Sequence, residues 1–274
     1  MKKLYISVLR NIMIVALLFW CGTLKAQQSD PVVVNGCFGE AQHEAFGSGE
    51  MLHYAVKYSA AIFTASVADA IINTTSSNVN STPCYKVEAV GKTKAFYSMF
   101  FKLEDTYTTW IEKNTLRPIR ATSDLKEGGY RYKNRFDFDW DKAKVYTSGE
   151  NLVHNTKQTK EMDLEPCSYD AIALFYNMRQ INTDRLVVGE PINLSLVLED
   201  TVRTVTMKFE GREVFRLGGV GRFNTMKFSC LFVTSTDQSF KDGDEFFVWI
   251  SDDKNRIPIY IESPIRVGKI KVEL

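Results

Sequence analysis

The side chains best suited to chemistry in this 274-residue chain are a set of carboxylates near its end. Asp252, Asp253 and Glu262 offer the oxygen ligands and proton acceptors that cation binding or acid–base catalysis requires. The two aspartates, however, directly precede Lys254 and Asn255, and such a run is typical of a hairpin turn whose aspartates bond to their own backbone. We therefore interpret these aspartates as turn residues.

Two other catalytic signals are incomplete. His53 lies in an alternating segment, with its side chain predicted to face solvent, and no Gly-x-Ser-x-Gly motif marks a nucleophile for it. The glycine-rich run Gly218 to Gly221 resembles a phosphate-binding loop, but it lacks the lysine and the helix that such loops need. The sequence therefore predicts no catalytic residue, no cofactor and no enzymatic activity.

Four cysteines follow residue 26, namely Cys37, Cys84, Cys167 and Cys230. They form no Cys-x-x-Cys pair, and the three histidines are scattered, so neither a metal site nor a redox dithiol is predicted. We expect at most one disulfide, with Cys37 and Cys84 as the first choice because both lie near predicted strand ends. Cys230 alternates with core-type residues such as Phe228 and is predicted to be a small buried hydrophobe.

The first 26 residues are typical of a secretory signal peptide. A lysine-rich start precedes the apolar run from Ile12 to Phe19, which is too short to span a bilayer, and cleavage is predicted before Gln27. Cys21 offers an alternative as a lipidation site, although Trp20 is a poor fit to the small residue that lipoprotein processing requires. The protein is thus expected to be exported, to the periplasm or to the outer membrane as an associated protein.

Composition limits the partners of the mature chain. The full chain has a net charge of +1, which provides no overall field that would recruit nucleic acid. No second apolar stretch reaches the length of a transmembrane helix, so no such segment is predicted in the mature chain. With 45% hydrophobic residues the chain can bury a sizeable core, and we expect an N-terminal leader over residues 27–48 and a single antiparallel β domain over residues 49–274.

Hydrophobic residues alternate with polar ones along most of the chain. In the clearest example, Tyr132, Phe136 and Phe138 share one face of a segment while Lys133 and Arg135 occupy the other. Similar segments are separated by runs rich in glycine, asparagine and aspartate, which suit hairpin turns. This pattern predicts a mainly β fold, either a large curved antiparallel sheet or an open β-barrel.

Two segments have helical spacing instead. Pro166 to Ile181 is predicted to be the one long helix, with Ser168 as its N-cap and Asp170 near the positive end of the helix dipole. Thr93 to Leu103 is predicted to form a second, shorter helix. One or both helices would cover apolar surface that a single sheet cannot bury against itself.

Four motifs together resemble a known family. They are Gly49-Glu50-Met51-Leu52-His53-Tyr54, Phe136-Asp137-Phe138-Asp139-Trp140, Ser168-Tyr169-Asp170-Ala171-Ile172-Ala173-Leu174-Phe175-Tyr176 and Asp252-Asp253-Lys254-Asn255-Arg256-Ile257-Pro258. Their order and spacing are similar to those of the bacterial exported family known as domain of unknown function 3108. The resemblance implies an exported, mostly antiparallel β protein with no established activity and no assigned catalytic residues. It also implies an architecture similar to the open barrels of periplasmic lipoprotein carriers, which does not by itself imply carrier function.

Aromatic side chains supply the candidate binding site. The residues that we expect to line an apolar cavity are Phe96, Phe100, Phe101, Trp110, Tyr132, Phe136 and Phe138. Two hypotheses follow. In the first, the protein is a non-enzymatic envelope protein that binds a hydrophobic or lipid-like ligand beneath a lid formed by Ala95 to Phe101. In the second, it is a structural or interaction module with a filled core that docks an envelope partner.

Overall fold

The computed structural model describes residues 45–199, 201–232, 245–265 and 267–274. The predicted signal peptide and most of the predicted leader lie outside the described residues. Ala45 and Phe46 are already buried in the main core, so packing begins ahead of the predicted domain start at Gly49.

The described residues form one 15-stranded sheet. Its strands are β1 (Met51–Ala60), β2 (Phe63–Val79), β3 (Thr82–Thr93), β4 (Glu104–Glu112), β5 (Pro118–Glu127), β6 (Tyr130–Asp139), β7 (Lys144–Asn151), β8 (Thr156–Asp163), β9 (Ser168–Tyr169), β10 (Pro191–Leu198), β11 (Thr201–Leu217), β12 (Gly221–Phe232), β13 (Phe246–Ser251), β14 (Pro258–Pro264) and β15 (Lys269–Glu273). The helices are α1 (Ala95–Ser98), α2 (Ala171–Met178) and a single 3₁₀ turn, Thr183–Arg185. The prediction of a mainly β fold, a large curved antiparallel sheet or open β-barrel with one or two covering helices, is confirmed.

The strand order shows how the chain forms one sheet from two meanders. The order is β8-β7-β6-β5-β4-β3-β2-β1-β15-β14-β13-β12-β11-β10-β9, so the last strand pairs with the first. Every pairing is antiparallel except that of β9 with β10. Short hairpin connections between neighbouring strands explain this arrangement, because antiparallel strands need only a tight turn between them.

The sheet curls until its two ends overlap. Phe136, Phe138 and Met162, from β6 and β8, pack in one buried cluster with Val197 of β10. Val197 alternates with Leu196, and Leu196 lies in the main core, so Val197 is on the opposite, outer face of β10. The inner face of β6–β8 therefore covers the outer face of β10, and the sheet has the form of a spiral.

Helix α2 fills the interior of this spiral. Six of its eight residues are buried, and the five apolar ones belong to the same core as the inner faces of β1–β4 and β10–β15. Its N-cap is Asp170, whose carboxylate accepts hydrogen bonds from the backbone N–H groups of Ile172 and Ala173. The prediction of Ser168 as the N-cap is wrong because Ser168 and Tyr169 are extended and pair with β10.

Helix α1 is much shorter than the predicted segment. It comprises only four residues, none of them buried, and its N-cap Lys94 makes no side-chain capping hydrogen bond. A helix this short gains little from its own hydrogen bonds, because nucleation is costly and stability normally comes from a packed face.

The cysteines differ from the expected pairing. Cys84 and Cys230 are both buried and free, so the predicted disulfide between Cys37 and Cys84 is wrong. Cys167 is disulfide-bonded, and its partner lies outside the described residues. Cys230 is buried among core side chains, which confirms the prediction that it packs as a small hydrophobe. The same burial raises the pKa of its thiol.

Candidate functional site

The predicted lid residues project away from the interior. Phe96 and Phe100 are 63% and 79% exposed, and Phe101, which follows them, is half-buried. Phe96 packs edge-on against Tyr97 and Phe100, so these rings contact one another. The structure therefore places this aromatic segment on the outside of the protein.

Trp110 lies on a different face from the other predicted interior aromatics. It pairs across β4 and β5 with Arg120, and Arg120 pairs across β5 and β6 with Asp137. Residues that pair directly across antiparallel strands point to the same side, so Trp110 shares the outer face with these charged residues. The Lys86 ammonium, 5.9 Å from the centre of its ring, is consistent with this position.

The three remaining candidates are on the inner face but leave no space for a ligand. Phe136 and Phe138 fill the overlap of the spiral. The Tyr132 ring lies directly over Gly149, where an added Cβ would be 1.9 Å from the tyrosine oxygen, and Gln158 donates a hydrogen bond to that oxygen. The seven predicted residues thus do not line a common cavity, and ligand binding by them stays a prediction.

The apolar cavity beside helix α2 is small. It has a volume of about 30 Å³ and lies between Leu174, Phe175 and Met178 of α2 and the inner faces of β10–β14. Sites for small organic ligands are typically about 300–1,000 Å³. The space beside α2 is therefore of the size of one or a few water molecules.

A larger hollow lies on the outer face of β4–β7 and is polar. It has a volume of about 390 Å³, and its lining includes Thr108, Thr122 and Arg135. Lys133 and Asp124 also border it, 3.7 Å apart as an ion pair. Hydroxyl and charged groups of this kind do not suit the hydrophobic ligand predicted from the aromatic content.

The most ordered polar cluster lies in the interior, where three of the four sequence motifs meet. Arg179 follows helix α2 and is completely buried. Its guanidinium donates two parallel hydrogen bonds to the carboxylate of Glu50, at 2.6 and 2.7 Å. It also donates to the backbone carbonyls of Ala45 and Asn255. Glu50 belongs to the first motif and Asn255 to the last, so Arg179 ties both ends of the domain to the helix.

Tyrosines complete this cluster. The Tyr176 ring lies 5.3 Å from the Arg179 guanidinium, and its hydroxyl contacts the Thr74 hydroxyl at 2.6 Å. Tyr54 donates a hydrogen bond to the carbonyl of Pro258. Burial raises the pKa of both tyrosine hydroxyls, so they remain neutral.

The polar groups of this cluster bond to one another and to the backbone. The acceptors of Arg179 are supplied by the chain itself, and its planar fork suits a two-point carboxylate pair. The helical spacing of Pro166 to Ile181 includes Arg179, but it does not predict that Glu50 is the partner of Arg179. The available signal was the co-occurrence of the opening, helical and closing motifs, which the structure explains through this contact.

A second buried acidic group lies between β4 and β5. Asp105 and Glu127 are completely buried, and the two side chains interact with each other. Burial raises the pKa of Asp105 to about 6, although the hydrogen bond from the Lys126 N–H and the interaction with Glu127 oppose the shift. Burial likewise raises the pKa of Asp170 to about 6, against hydrogen bonds from Thr109 and the α2 backbone.

The other candidates from the sequence are ordinary turn and surface residues. Asp253 accepts hydrogen bonds from the backbone of Asn255 and Arg256, as expected of a turn aspartate. His53 is exposed, 3.4 Å from Asp69. Within the ranges that the structure describes, no group of three or more histidine, cysteine or acidic side chains is placed to hold a metal ion.

Exposed apolar side chains concentrate at one end of the strands. Ile62 lies in the β1–β2 turn and Phe63 begins β2, Val267 lies in the β14–β15 turn, and α1 and the residues after it connect β3 to β4. We call the exposed apolar residues of these three tips the apolar rim: Ile62, Phe63, Phe96, Met99, Phe100 and Val267. Single exposed hydrophobics are common, but a contiguous group indicates an interaction surface.

Comparison with known proteins identifies a fold and a family without an activity. The chain is similar to the crystal structure of a beta-barrel-like protein of domain of unknown function DUF1849 from Brucella abortus. The two share 8% sequence identity with a TM-score of 0.52, over 83% of this chain and 97% of that one. No curated protein matches the sequence. None of the helices in the described part of the chain has the length and apolarity needed to cross a membrane. The family described as "Protein of unknown function (DUF3108)" matches residues 53–274, and the chain belongs to that family.

Proposed function

We propose that this protein is an exported, non-enzymatic interaction module of the cell envelope, with a filled core and a working outer surface. The observation that carries the proposal is that helix α2 occupies the interior of the spiral and leaves a cavity of only about 30 Å³ beside it. A cavity of this size does not hold a lipid chain. Of the two hypotheses from the sequence, the geometry thus favours the module with a filled core.

Export is supported by two independent features. The first 26 residues have the pattern of a signal peptide. Cys167 is disulfide-bonded, and disulfides persist mainly in oxidising compartments such as the periplasm. Both features favour a location in the envelope rather than in the cytosol.

A non-enzymatic role is supported by how the buried polar groups are used. Arg179 and Glu50 satisfy each other, and Asp170 caps helix α2. Asp105 and Glu127 interact with each other and have no solvent access. Catalytic groups must instead be able to reach a substrate in a cleft.

Carriage of a lipid-like ligand would require the spiral to open. The overlap between β8 and β10 would have to separate, exposing the cluster around Phe136, Phe138 and Val197. That separation would expose buried apolar area, which costs about 25 cal/mol per Å². The closed, filled form is therefore the one that we propose to be functional.

Native mass spectrometry of protein purified from the envelope without detergent tests this proposal. We expect the mass of the mature chain alone, because a filled core retains no cargo. A control spectrum after organic extraction should be identical. A native mass that exceeds the chain mass by a lipid, and that falls to the chain mass on extraction, would contradict the filled-core proposal.

A further inference from the structure

We infer that the apolar rim is a docking surface for an anionic lipid bilayer, on which the protein sits peripherally. This inference rests on the proposed function, because it assigns a partner to the outer surface of the envelope module. It gives the aromatic segment of α1 a role outside the fold, in place of the lid predicted from its sequence.

The rim is contiguous in the structure. The Tyr58 hydroxyl donates a hydrogen bond to the carbonyl of Val267, and Gly268 packs closely against Ser59, so the β14–β15 and β1–β2 tips are neighbours. On the other side, the N–H of Lys94 donates to a carbonyl of β2, which fixes α1 beside the same hairpin. Three successive tips thus present their apolar side chains at the same end of the sheet.

The side chains of the rim are large and exposed. Their exposed fractions are 105% for Ile62, 55% for Phe63, 63% for Phe96, 73% for Met99, 79% for Phe100 and 67% for Val267. Two of the three phenylalanines lie on or beside α1, which has no buried residue, so the fold gains little from keeping them apolar. A partner that removes them from water would provide the missing stabilisation.

The charges of the tips identify the partner. The segment from Lys92 to Leu103 contains three lysines and no acidic residue. The β1–β2 tip, residues 59–64, is uncharged, and among the described residues of the β14–β15 tip, 264–265 and 267–269, the only charged one is Lys269. Phenylalanines flanked in the sequence by lysines suit a bilayer, because the rings enter the acyl boundary while the ammonium groups meet anionic headgroups.

Neighbouring acidic residues on the strands moderate this charge without removing it. Lys92 pairs with Glu104 at 3.2 Å, Lys94 with Asp69 at 3.3 Å and Lys269 with Glu262 at 2.7 Å. Among the ion pairs of the described residues none includes Lys102, which is exposed beside the rim phenylalanines. Lys102 is therefore the rim cation most available to a headgroup.

Vesicle sedimentation of the full mature chain tests the inference, with phosphatidylcholine vesicles that contain or lack phosphatidylglycerol. The wild type should bind the anionic vesicles. Replacing both Phe96 and Phe100 by serine should lower the partition coefficient at least about tenfold, since each ring withdraws apolar area from water. Lys102→Gln should lower it about fivefold on anionic vesicles and not on neutral ones.

A matched control is available on the same sheet. Val214 and Val220 are both 63% exposed, and they lie in the β11–β12 hairpin at the opposite end of the strands. The double variant Val214→Ser, Val220→Ser should bind as the wild type does. Because all these side chains are exposed, circular dichroism should show that every variant is folded.

Three outcomes would overturn the inference. The first is that the wild type does not bind anionic vesicles. The second is that the rim and control variants lose binding equally. The third is that the rim substitutions abolish self-association in the absence of lipid. The last result would identify the rim as a protein–protein surface. Self-association would appear in the native spectrum as a multiple of the chain mass and not as the added mass of a lipid, so failure of the docking surface is distinguishable from failure of the filled-core proposal.

Discussion

Arg179 and Glu50, 129 positions apart in the sequence, form a two-point ion pair in the interior of the spiral. Arg179 is completely buried, and Glu50 retains only 18% exposure of its side chain. A buried guanidinium needs a counter-charge, because without one nothing offsets the free-energy cost of removing it from water. The pair therefore couples the first strand to the residue that ends helix α2.

Breaking this pair on one side should be costly. We expect Glu50→Gln to lower the free energy of unfolding by about 3–5 kcal/mol, because it leaves the buried Arg179 without a counter-charge. Replacing both members, Glu50→Leu with Arg179→Met, should cost less than this single change. Urea denaturation of each variant measures the difference.

A partly exposed pair provides the control. Asp137 accepts a hydrogen bond from Arg120 on the outer face. Asp137→Asn should change the free energy of unfolding by about 1 kcal/mol or less, as is usual for exposed pairs. If Glu50→Gln were as mild as Asp137→Asn, the interior pair would not hold the helix in place.

Stability should depend on pH through Asp105. Its pKa is raised by burial from 3.8 to about 6, so the folded state binds this proton more tightly than the unfolded state does. The resulting stabilisation is complete below about pH 4 and is lost as the pH rises through about 6. Asp105→Asn keeps a neutral group in place at every pH. The free energy of unfolding of this variant, relative to that of the wild type, should therefore rise by on the order of 2 kcal/mol between about pH 4 and about pH 8.

Denaturation midpoints of both proteins across this range provide the measurement. Asp184, exposed in the 3₁₀ turn, is a suitable control site, and Asp184→Asn should show no such pH-dependent gain. A difference between Asp105→Asn and wild type that stays constant with pH would show that Asp105 is ionised in the folded protein throughout.

Gly149 should be intolerant of a side chain. A Cβ at this position would lie 1.9 Å from the Tyr132 oxygen and 2.8 Å from its ring carbon, so the ring would have to move. We expect Gly149→Ala to cost about 1–3 kcal/mol by overpacking. In a Tyr132→Ala background the same change should cost little, and a double-mutant cycle by denaturation tests this coupling. Equal costs in both backgrounds would mean that Tyr132 does not lie over Gly149.

The thiols of the mature chain should react in a defined number. Cys84 and Cys230 are free and Cys167 is disulfide-bonded. Denatured, unreduced protein should therefore show two free thiols, and Cys84→Ala with Cys230→Ala should show none. Counting with a chromogenic thiol reagent decides the matter. A count of four in the mature wild type would show that Cys167 is reduced.

Local patterns in the sequence were sufficient to predict the sheet. The alternation around Tyr132, Phe136 and Phe138 predicted their burial, because side chains alternate strictly between the two faces of a strand. The turn role of Asp253 and the burial of Cys230 were predicted for the same local reasons.

Features that depend on distant contacts were not predictable in this way. Trp110 was assigned to the interior, but its face is set by register with Arg120, which one strand cannot reveal. The predicted second helix, Thr93 to Leu103, is only the four-residue α1 in the structure, because most of its apolar residues are exposed and no packed face stabilises a longer helix. The Arg179–Glu50 pair joins a residue just before β1 to one just after helix α2, so only the joint presence of the motifs pointed to it.

The central claim about this protein is that the interior of the spiral is filled. Titration of the mature chain with a fluorescent fatty-acid probe, in the absence of vesicles, tests this claim most directly. We predict no saturable increase in fluorescence, because helix α2 and the packed cluster of Phe136 and Phe138 leave a cavity of only about 30 Å³. Saturable one-to-one binding that Phe136→Ala or Phe138→Ala weakens would contradict the account and would show that the spiral opens around a ligand.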